Sequence, residues 1–327
     1  MRSRMIPILL GAALVGGCAT TTEPVGYTPS SAPAALDNCG TQLSVPKPPS
    51  RVVTMNQAAT EVMLALGLQE RMIGTAHLDD AILPEYAAAY AAIPVLAAAY
   101  PAKDALTKAD PDFVYASSAA AFAPDAAGER DELDALGVGS YLSPAGCAPV
   151  QPAAKPAVDD VFAEITEIGA IFGVPERAAA LVADHRARIA AAAASVTQTE
   201  DERLLWWDAG TDTPTVGACC GTPALIMAAI GAPNASAAVP GASAETTWPA
   251  VVAADPTVIV LVDSAGSPAA AKKAYLAATP ALKNLTAVQH ERFVDLPYSE
   301  TTAGVRTVLG IERLAAGLTA LGVGVSS

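Results

Sequence analysis

The chain has 327 residues, of which 52% are hydrophobic and 16% charged, and its 33 acids against 19 bases give a formal net charge of -14. A binder of nucleic-acid phosphates should carry a concentrated basic run, and none occurs, so that partner class is excluded. A chain of this length can bury a large core, here expected as two packed units.

The N-terminus "MRSRM" places Arg2 and Arg4 before the apolar run "IPILLGAALV", and Gly16 and Gly17 stand immediately before Cys18. A positive start, a short apolar stretch and small residues describe an export leader too short for an ordinary membrane span. The block "LVGGC" also resembles the lipobox of bacterial lipoproteins. That resemblance implies a signal peptide over 1–17, lipidation of Cys18, and an extracytoplasmic protein anchored to the membrane by its N-terminal lipid. Two arginines and no acid leave with the leader, so the charge moves from -14 to -16. Residues 18–48, rich in Ser, Thr, Pro and Ala, read as a flexible tether.

Residues 49–156 read as a first lobe. The strand candidate "RVVTM" leads into the helix "NQAATEVMLALGL", followed by "RMIGTA", "AAIPVLA", the helix "AKDALTKAD", the strand "DFVYAS", the helix "RDELDALGV" and the strand "GSYLS". Repeated strand-to-helix units with short joins imply a mostly parallel sheet covered by helices. Residues 157–197 contain two helical stretches separated at "FGVPE", where Gly173 and Pro175 punctuate the pattern. The second stretch is long enough to span about thirty ångströms at 1.5 Å per residue and to join two lobes stiffly.

Residues 198–327 restart the rhythm with "RLLWWDAG", the helix "TPALIMAAIG", then "TWPAVVAADPTVIVLVDS", "RFVDLPYS" and the closing helix "VRTVLGIERLAAGLTALG". Asp110-Pro111 and Asp255-Pro256 hold the same place before a strand in each half, as an internal repeat would require. The fold class is therefore α/β, two units with mostly parallel sheets and a stiff helical connection between them.

Four cysteines remain beyond Cys18, and an oxidising exterior favours their pairing. Cys39 and Cys147 lie in turn-rich sequence at the two ends of the first lobe, and a disulfide between them is the preferred pairing. Cys219 and Cys220 are adjacent within "VGACCG", which rules out C-x-x-C spacing. A vicinal disulfide shaping a binding wall is the first reading; two thiols for a soft metal or chelate, or simple packing at a helix start, stay open.

The combination of "PSRVVTMNQAATEVMLALGLQERMIGTA", "ADPDFVYAS", the central helix and "AADPTVIVLVD" resembles the extracytoplasmic substrate-binding proteins of ABC importers for siderophores, haem and cobalamin, over nearly all of residues 50–325. The segments "GTDTP" and "VGA" and the EAGVR-like "TAGVR" are similar to a branch assigned to uptake of a deazaflavin cofactor precursor. The resemblance implies the class III periplasmic-binding-protein fold, two Rossmann-like lobes with mostly parallel sheets joined by a long rigid helix, and an ABC permease as partner. The solute would be a cofactor precursor, a corrinoid or a ferric chelate, held between the lobes of a monomer with no resident cofactor. It also implies one docking acid on each lobe. Asp104 matches the first position. Pro249 stands at the second, so Glu245, four residues earlier, is the substitute candidate.

Parallel sheets bind ligands beyond the carboxyl ends of their strands. In lobe one that rule selects Asn56 and Gln57, His77 and Asp79, Ser117 and Ser118, with Tyr100 as a ring wall. In lobe two it selects Asp208, Thr211, Asp212 and Thr213, then Asp263 and Ser264, and Tyr298. Trp248 is a candidate cap, Trp206 is assigned to the core and Trp207 to a ligand contact. Arg306 either points an anion-binding fork into the cleft or closes a salt bridge with a neighbouring acid. His77 and Asp79 alone lack enough donors for a metal, so no metal site is expected. No G-x-S-x-G, Walker or H-E-x-x-H motif occurs, so catalysis has no support in the sequence. A sensory or protein-binding receptor on the same lobes is the remaining alternative.

Overall fold

A computed structural model describes residues 35–147 and 157–323, so the leader and Cys18 lie outside the described residues. The described chain opens with a hairpin, β1 (Leu36–Asn38) and β2 (Thr41–Leu43), turning through Cys39 and Gly40 at φ 56° and 78°. Two successive positive-φ residues give the turn whose twist suits a two-residue hairpin.

The first lobe's sheet contains β3 (Val52–Met55), β4 (Met72–Ala76), β5 (Val95–Ala97), β6 (Phe113–Ala116) and β7 (Gly139–Leu142). Their spatial order is β5-β4-β3-β6-β7 and every pairing is parallel. β3 and β6 are buried at every position, as expected for strands covered on both faces by helices. Asn38 and the Cys39–Cys147 disulfide fasten the hairpin to the end of this lobe. The Asn38 amide donates to the Leu142 carbonyl at 2.9 Å and accepts from the Leu142 N–H at 2.8 Å, and the two cysteine Cα atoms are 5.5 Å apart.

The second sheet contains β8 (Leu204–Ala209), β9 (Thr215–Gly217), β10 (Ser243–Glu245), β11 (Val258–Asp263) and β12 (Phe293–Pro297), in the order β10-β9-β8-β11-β12. β8, β11 and β12 are parallel, while β9 and β10 add an antiparallel edge. That edge is absent from the sequence reading, because "TVG" and "SAE" are too short to show alternation.

Between the lobes, the helix Val158–Ile171 turns at Gly173 (φ 70°) into the helix Pro175–Ser195. The latter's 21 residues extend about 31 Å at 1.5 Å each. Its Arg177 donates to the Leu66 carbonyl of lobe one, and its Arg188 grips Glu312 of lobe two through two bonds of 2.8 and 2.6 Å. Gly169 lets the two helices meet, since a Cβ there would stand 2.4 Å from that of Ala178.

Alternation along the strands divides the core. Val52 and Tyr115 of lobe one, Ile165 and Ile168 of the linking helix, and Trp206, Val260 and Ile311 of lobe two form one continuous buried cluster. The opposite strand faces feed separate outer layers, Val53 and Met55 in one lobe and Leu205 and Trp207 in the other. A shared apolar core in addition to a helix resists large rearrangement.

The halves repeat in detail. Asp110 and Asp255 both end a helix in the left-handed conformation, at φ 53° and 42°. Arg51, just before β3, donates through Nε to the Asp110 carbonyl at 2.6 Å; Arg203, just before β8, donates to the Asp255 carbonyl at 3.0 Å. Each arginine thus satisfies carbonyls at a helix C-terminus, where positive charge is favoured.

Candidate functional site

The carboxyl ends of the two sheets face one another across a cleft of about 400 Å³. Lobe one contributes Asn56, Asp79, Ser117, Ser118 and Ser143, and lobe two contributes Asp208, Thr215, Ser243, Tyr298, Thr301 and Thr302 among others. Six of the residues selected from strand ends therefore come together: Asn56, Asp79, Ser117, Ser118, Asp208 and Tyr298.

Asn56 occupies the junction between β3 and the helix Gln57–Ala65 at φ 77° and ψ 157°, a region asparagine rarely enters. Its N–H donates to the Ala76 carbonyl at 3.1 Å, and its carbonyl accepts from Thr60 Oγ1 at 2.9 Å. Thr60 in turn shares hydrogen bonds with Thr54 and Thr75 beneath the cleft floor. The Asn56 side chain is held by donation from Nδ2 to the Tyr100 hydroxyl at 2.7 Å, and Tyr100 stacks on His77 with centroids 4.1 Å apart. Asn56 Oδ1 and His77 Nδ1 are buried without a hydrogen-bond partner. Buried orphans of this kind cost free energy unless something completes them.

Asp79 stands near His77, with 3.8 Å between Oδ1 and Nδ1. Burial raises its pKa, opposed by His77. Across the cleft, Asp208 accepts from Trp206 Nε1 at 2.8 Å and from Ser243 Oγ at 2.9 Å. Burial raises its pKa too, outweighing those bonds and the nearby Lys272. Lys272 is turned below the surface, where it donates to the carbonyls of Asp208 and Val262, and burial pushes its ammonium down to about 8.

Several sequence-selected residues serve elsewhere. Gln57 is 2% exposed and donates to Glu61 and to the Ala81 carbonyl. Arg306 does not extend a fork into the cleft: it forms two 2.6 Å bonds with Glu61 and further bonds with Ser299 and the Ala81 carbonyl. Its alternative role, the salt bridge, is the one the structure shows. Trp207 is fully buried, packed edge-on against Trp248 and near Tyr275, so its ring has no face left for a ligand. Trp248 is drawn into that cluster and donates to the Thr211 carbonyl at 2.5 Å, as Tyr275 does at 2.7 Å. Thr211, Asp212 and Thr213 are exposed on that loop and are not among the cleft's lining residues. Asp263 caps the following helix by accepting from the Ala269 N–H at 2.8 Å. Ser264 bridges to Ser267.

Cys219 and Cys220 form a disulfide. The backbone N–H groups of Ala218, Cys219 and Cys220 donate to the carbonyls of Ala242, Val239 and Gly241, each at 3.0 Å, which clamps the loop against residues 239–242. Cys220 forms part of a second chamber of about 300 Å³, together with Glu164, Val161 and Leu225. Ala145, Thr222, Ala242 and Ala303 line both chamber and cleft, so the two spaces adjoin. Glu164 accepts from the Tyr115 hydroxyl and from Ser143 Oγ, and burial pushes its carboxyl up to about 7. No group of three or more His, Cys, Asp and Glu suited to a metal ion occurs among the described residues.

Sequence reasoning missed Ser143, Thr301 and Thr302, although they follow β7 and β12 and obey the same strand-end rule. It also missed Thr215 and Ser243, which arrive on the unanticipated antiparallel strands, and Glu164, whose helix carries no local sign of a cavity. The docking candidates Asp104 and Glu245 are both exposed, one on the helix Lys103–Ala109 and the other at the end of β10.

The chain matches the family model described as periplasmic binding protein over residues 52–299. No curated protein matches it. Among solved structures, it is similar to a periplasmic binding protein from Veillonella parvula, at 29% identity and TM-score 0.79 over 89% of this chain and 98% of the other. It is also similar to a structure described as an ABC-type Fe3+-hydroxamate transport system from Saccharomonospora viridis, at 25% identity and TM-score 0.72 over 87% and 98%. The periplasmic heme-binding protein RhuT from Roseiflexus sp. RS-1 shares the fold at 23% identity and TM-score 0.64 over 83% and 98%. A family match over most of the chain, two sheets that open onto one cleft and a single long helix behind them have one meaning: the chain belongs to the periplasmic binding protein family, whose members are extracytoplasmic solute receptors rather than catalysts.

Proposed function

We propose that this chain is the lipid-anchored receptor of an ABC importer, which captures a cofactor-like or metal-chelate solute between its lobes and delivers it to the permease. The observation that carries the reading is the cleft itself. It takes polar side chains from both lobes at their strand ends, so a solute filling it would bridge the lobes and favour their closed arrangement. The shared core limits closure to a modest movement. Lipid at Cys18 would hold the receptor near its permease, with Asp104 and Glu245 as the docking acids.

The candidate solutes remain those of the sequence resemblance: a deazaflavin cofactor precursor, a corrinoid or a ferric chelate. The Saccharomonospora viridis relative, described as part of a Fe3+-hydroxamate system, supports the chelate class. The test is native mass spectrometry of the protein after exposure to extract of its source organism, without reductant. An added mass released unchanged on denaturation supports the receptor, and its value and isotope pattern separate iron or cobalt complexes from a metal-free precursor. Absence of any adduct across growth conditions overturns high-affinity capture. Pro249 at the second docking position favours one alternative, a sensory receptor on the same fold. That reading predicts solute binding without stimulation of any permease-coupled ATPase.

A further inference from the structure

The charged side chains that line the cleft are Asp79, from lobe one, and Asp208, from lobe two. The adjoining chamber adds Asp160 and Glu164. Among the described residues, no lysine or arginine lines either space. Arg306 and Lys272 are committed elsewhere, Arg306 to Glu61 and Ser299 and Lys272 to two backbone carbonyls, while His77 lies 3.8 Å from Asp79. Asp79, Asp208 and Tyr298 all line this cleft, so the two carboxylates enter it from opposite lobes.

Asn56 gives an independent indication. It is 7% exposed and lines the same cleft, and its Oδ1 is buried with no hydrogen-bond partner although Nδ2 is held by Tyr100. The cleft thus has an unpaired acceptor and two carboxylates among hydroxyls that can donate or accept, and the unpaired acceptor is completed by a ligand group that donates. Bringing Asp79 and Asp208 closer as the lobes close costs free energy through like-charge repulsion, unless positive charge lies between them.

We infer that the cleft selects its solute by charge: Asp79, Asp208 and Asn56 together receive a cationic, hydrogen-bond-donating group, an ammonium or guanidinium borne by the solute. The inference rests on the cleft being the solute site and narrows the candidates within it. A chelate or corrinoid that presents an amine fits, and a solute that presents phosphate or carboxylate groups to these residues is rejected.

Three fragments of one shape test this: benzylammonium, benzyl alcohol and benzoate, titrated at millimolar concentration into the 15N-labelled full chain while backbone amide shifts are followed by NMR. The expected result is saturable shifts at Asn56, Asp79, Asp208 and Ser243 with benzylammonium, at least tenfold weaker binding of benzyl alcohol, and none of benzoate. Asp79→Asn and Asp208→Asn should each reduce that preference, with folding checked by the unchanged remainder of the spectrum. Benzyl alcohol or benzoate binding in the cleft as tightly as benzylammonium overturns the charge selection and leaves the cleft as a solute site. If none of the three perturbs the cleft, the charge selection falls, while the solute-site reading stands or falls on the adduct measured by native mass spectrometry.

Discussion

Arg306 and Glu61 form a bidentate ion pair across the lobe interface, with Nε to Oε2 and Nη2 to Oε1 both at 2.6 Å and the Glu61 side chain fully buried. Glu61 also accepts from Gln57 Nε2 and from the Leu83 N–H, and Arg306 reaches Ser299, which donates to Asp80. The network fastens the start of the last helix to lobe one below the cleft. Removing one partner leaves an uncompensated buried charge, which costs about 3–5 kcal/mol. Glu61→Gln is therefore expected to lower the urea midpoint strongly, and equilibrium unfolding with two spectroscopic probes checks it.

Trp207 separates packing from recognition. As a fully buried ring against Trp248 and Tyr275, its truncation to alanine should cost about 3–5 kcal/mol. Trp207→Phe should leave affinity for the natural solute within about twofold, because the ring does not line the cleft. Calorimetric titration of the phenylalanine variant decides this.

The Cys39–Cys147 disulfide closes a loop of sequence separation 108. Loop-closure entropy for that length predicts a loss of about 5 kcal/mol when both cysteines become serine. The hairpin that carries Cys39 should loosen first, since it is then held by the Asn38 bonds to Leu142 and Arg130 and by the packing of Leu36 and Leu43. Hydrogen exchange at the Leu142 amide, which is bonded to Asn38, reads that directly.

Glu164 has a predictable pH signature. Burial raises its pKa from 4.5 to about 7, so between those values the folded chain holds a proton that the unfolded chain has released. Its contribution to stability is then complete below pH 4.5 and is lost as pH rises through 7. Glu164→Gln keeps the neutral form at every pH and should flatten the decline of Tm across this window. Thermal unfolding of both proteins in matched buffers is the check; parallel curves would contradict the assignment.

Docking can be separated from capture. Asp104 is exposed, far in function from the cleft lining, and Asp104→Ala should leave solute affinity unchanged while lowering permease-coupled ATPase stimulation at least tenfold. Glu245→Ala tests whether the second lobe uses that acid in place of the residue at Pro249. Reconstituted ATPase assays with each variant distinguish the two.

The parallel strands were legible in the sequence because β3, β4, β6, β8 and β11 are continuous apolar runs bounded by turns, a pattern that arises when helices cover both faces of a sheet. The break at Gly173-Val174-Pro175 marked the start of the long helix for equally local reasons. Asn56, Asp79, Ser117, Ser118, Asp208 and Tyr298 were reached by one topological rule, that ligands bind beyond strand carboxyl ends. Pairing of Cys219 with Cys220 was readable from adjacency together with an oxidising compartment, and the structure contains it.

Other features depend on partners distant in sequence. No local pattern told whether Arg306 would face the cleft or Glu61, 245 residues away, since both choices satisfy a guanidinium. Trp206 and Trp207 were known to point to opposite sides of β8, but only packing by Trp248 and Tyr275 buried the second ring. The edge strands β9 and β10, and with them Thr215 and Ser243, are fixed by ladder hydrogen bonds to β8 rather than by their own residues. The sequence by itself determined the parallel strands, the helices between them and which strand ends meet the cleft, because burial and turn chemistry act over a few residues. Tertiary structure decided which polar side chains remain open to the cleft and which are consumed by one another, because those partners are distant in sequence, some within one lobe and some, as Arg306 and Glu61, across the two.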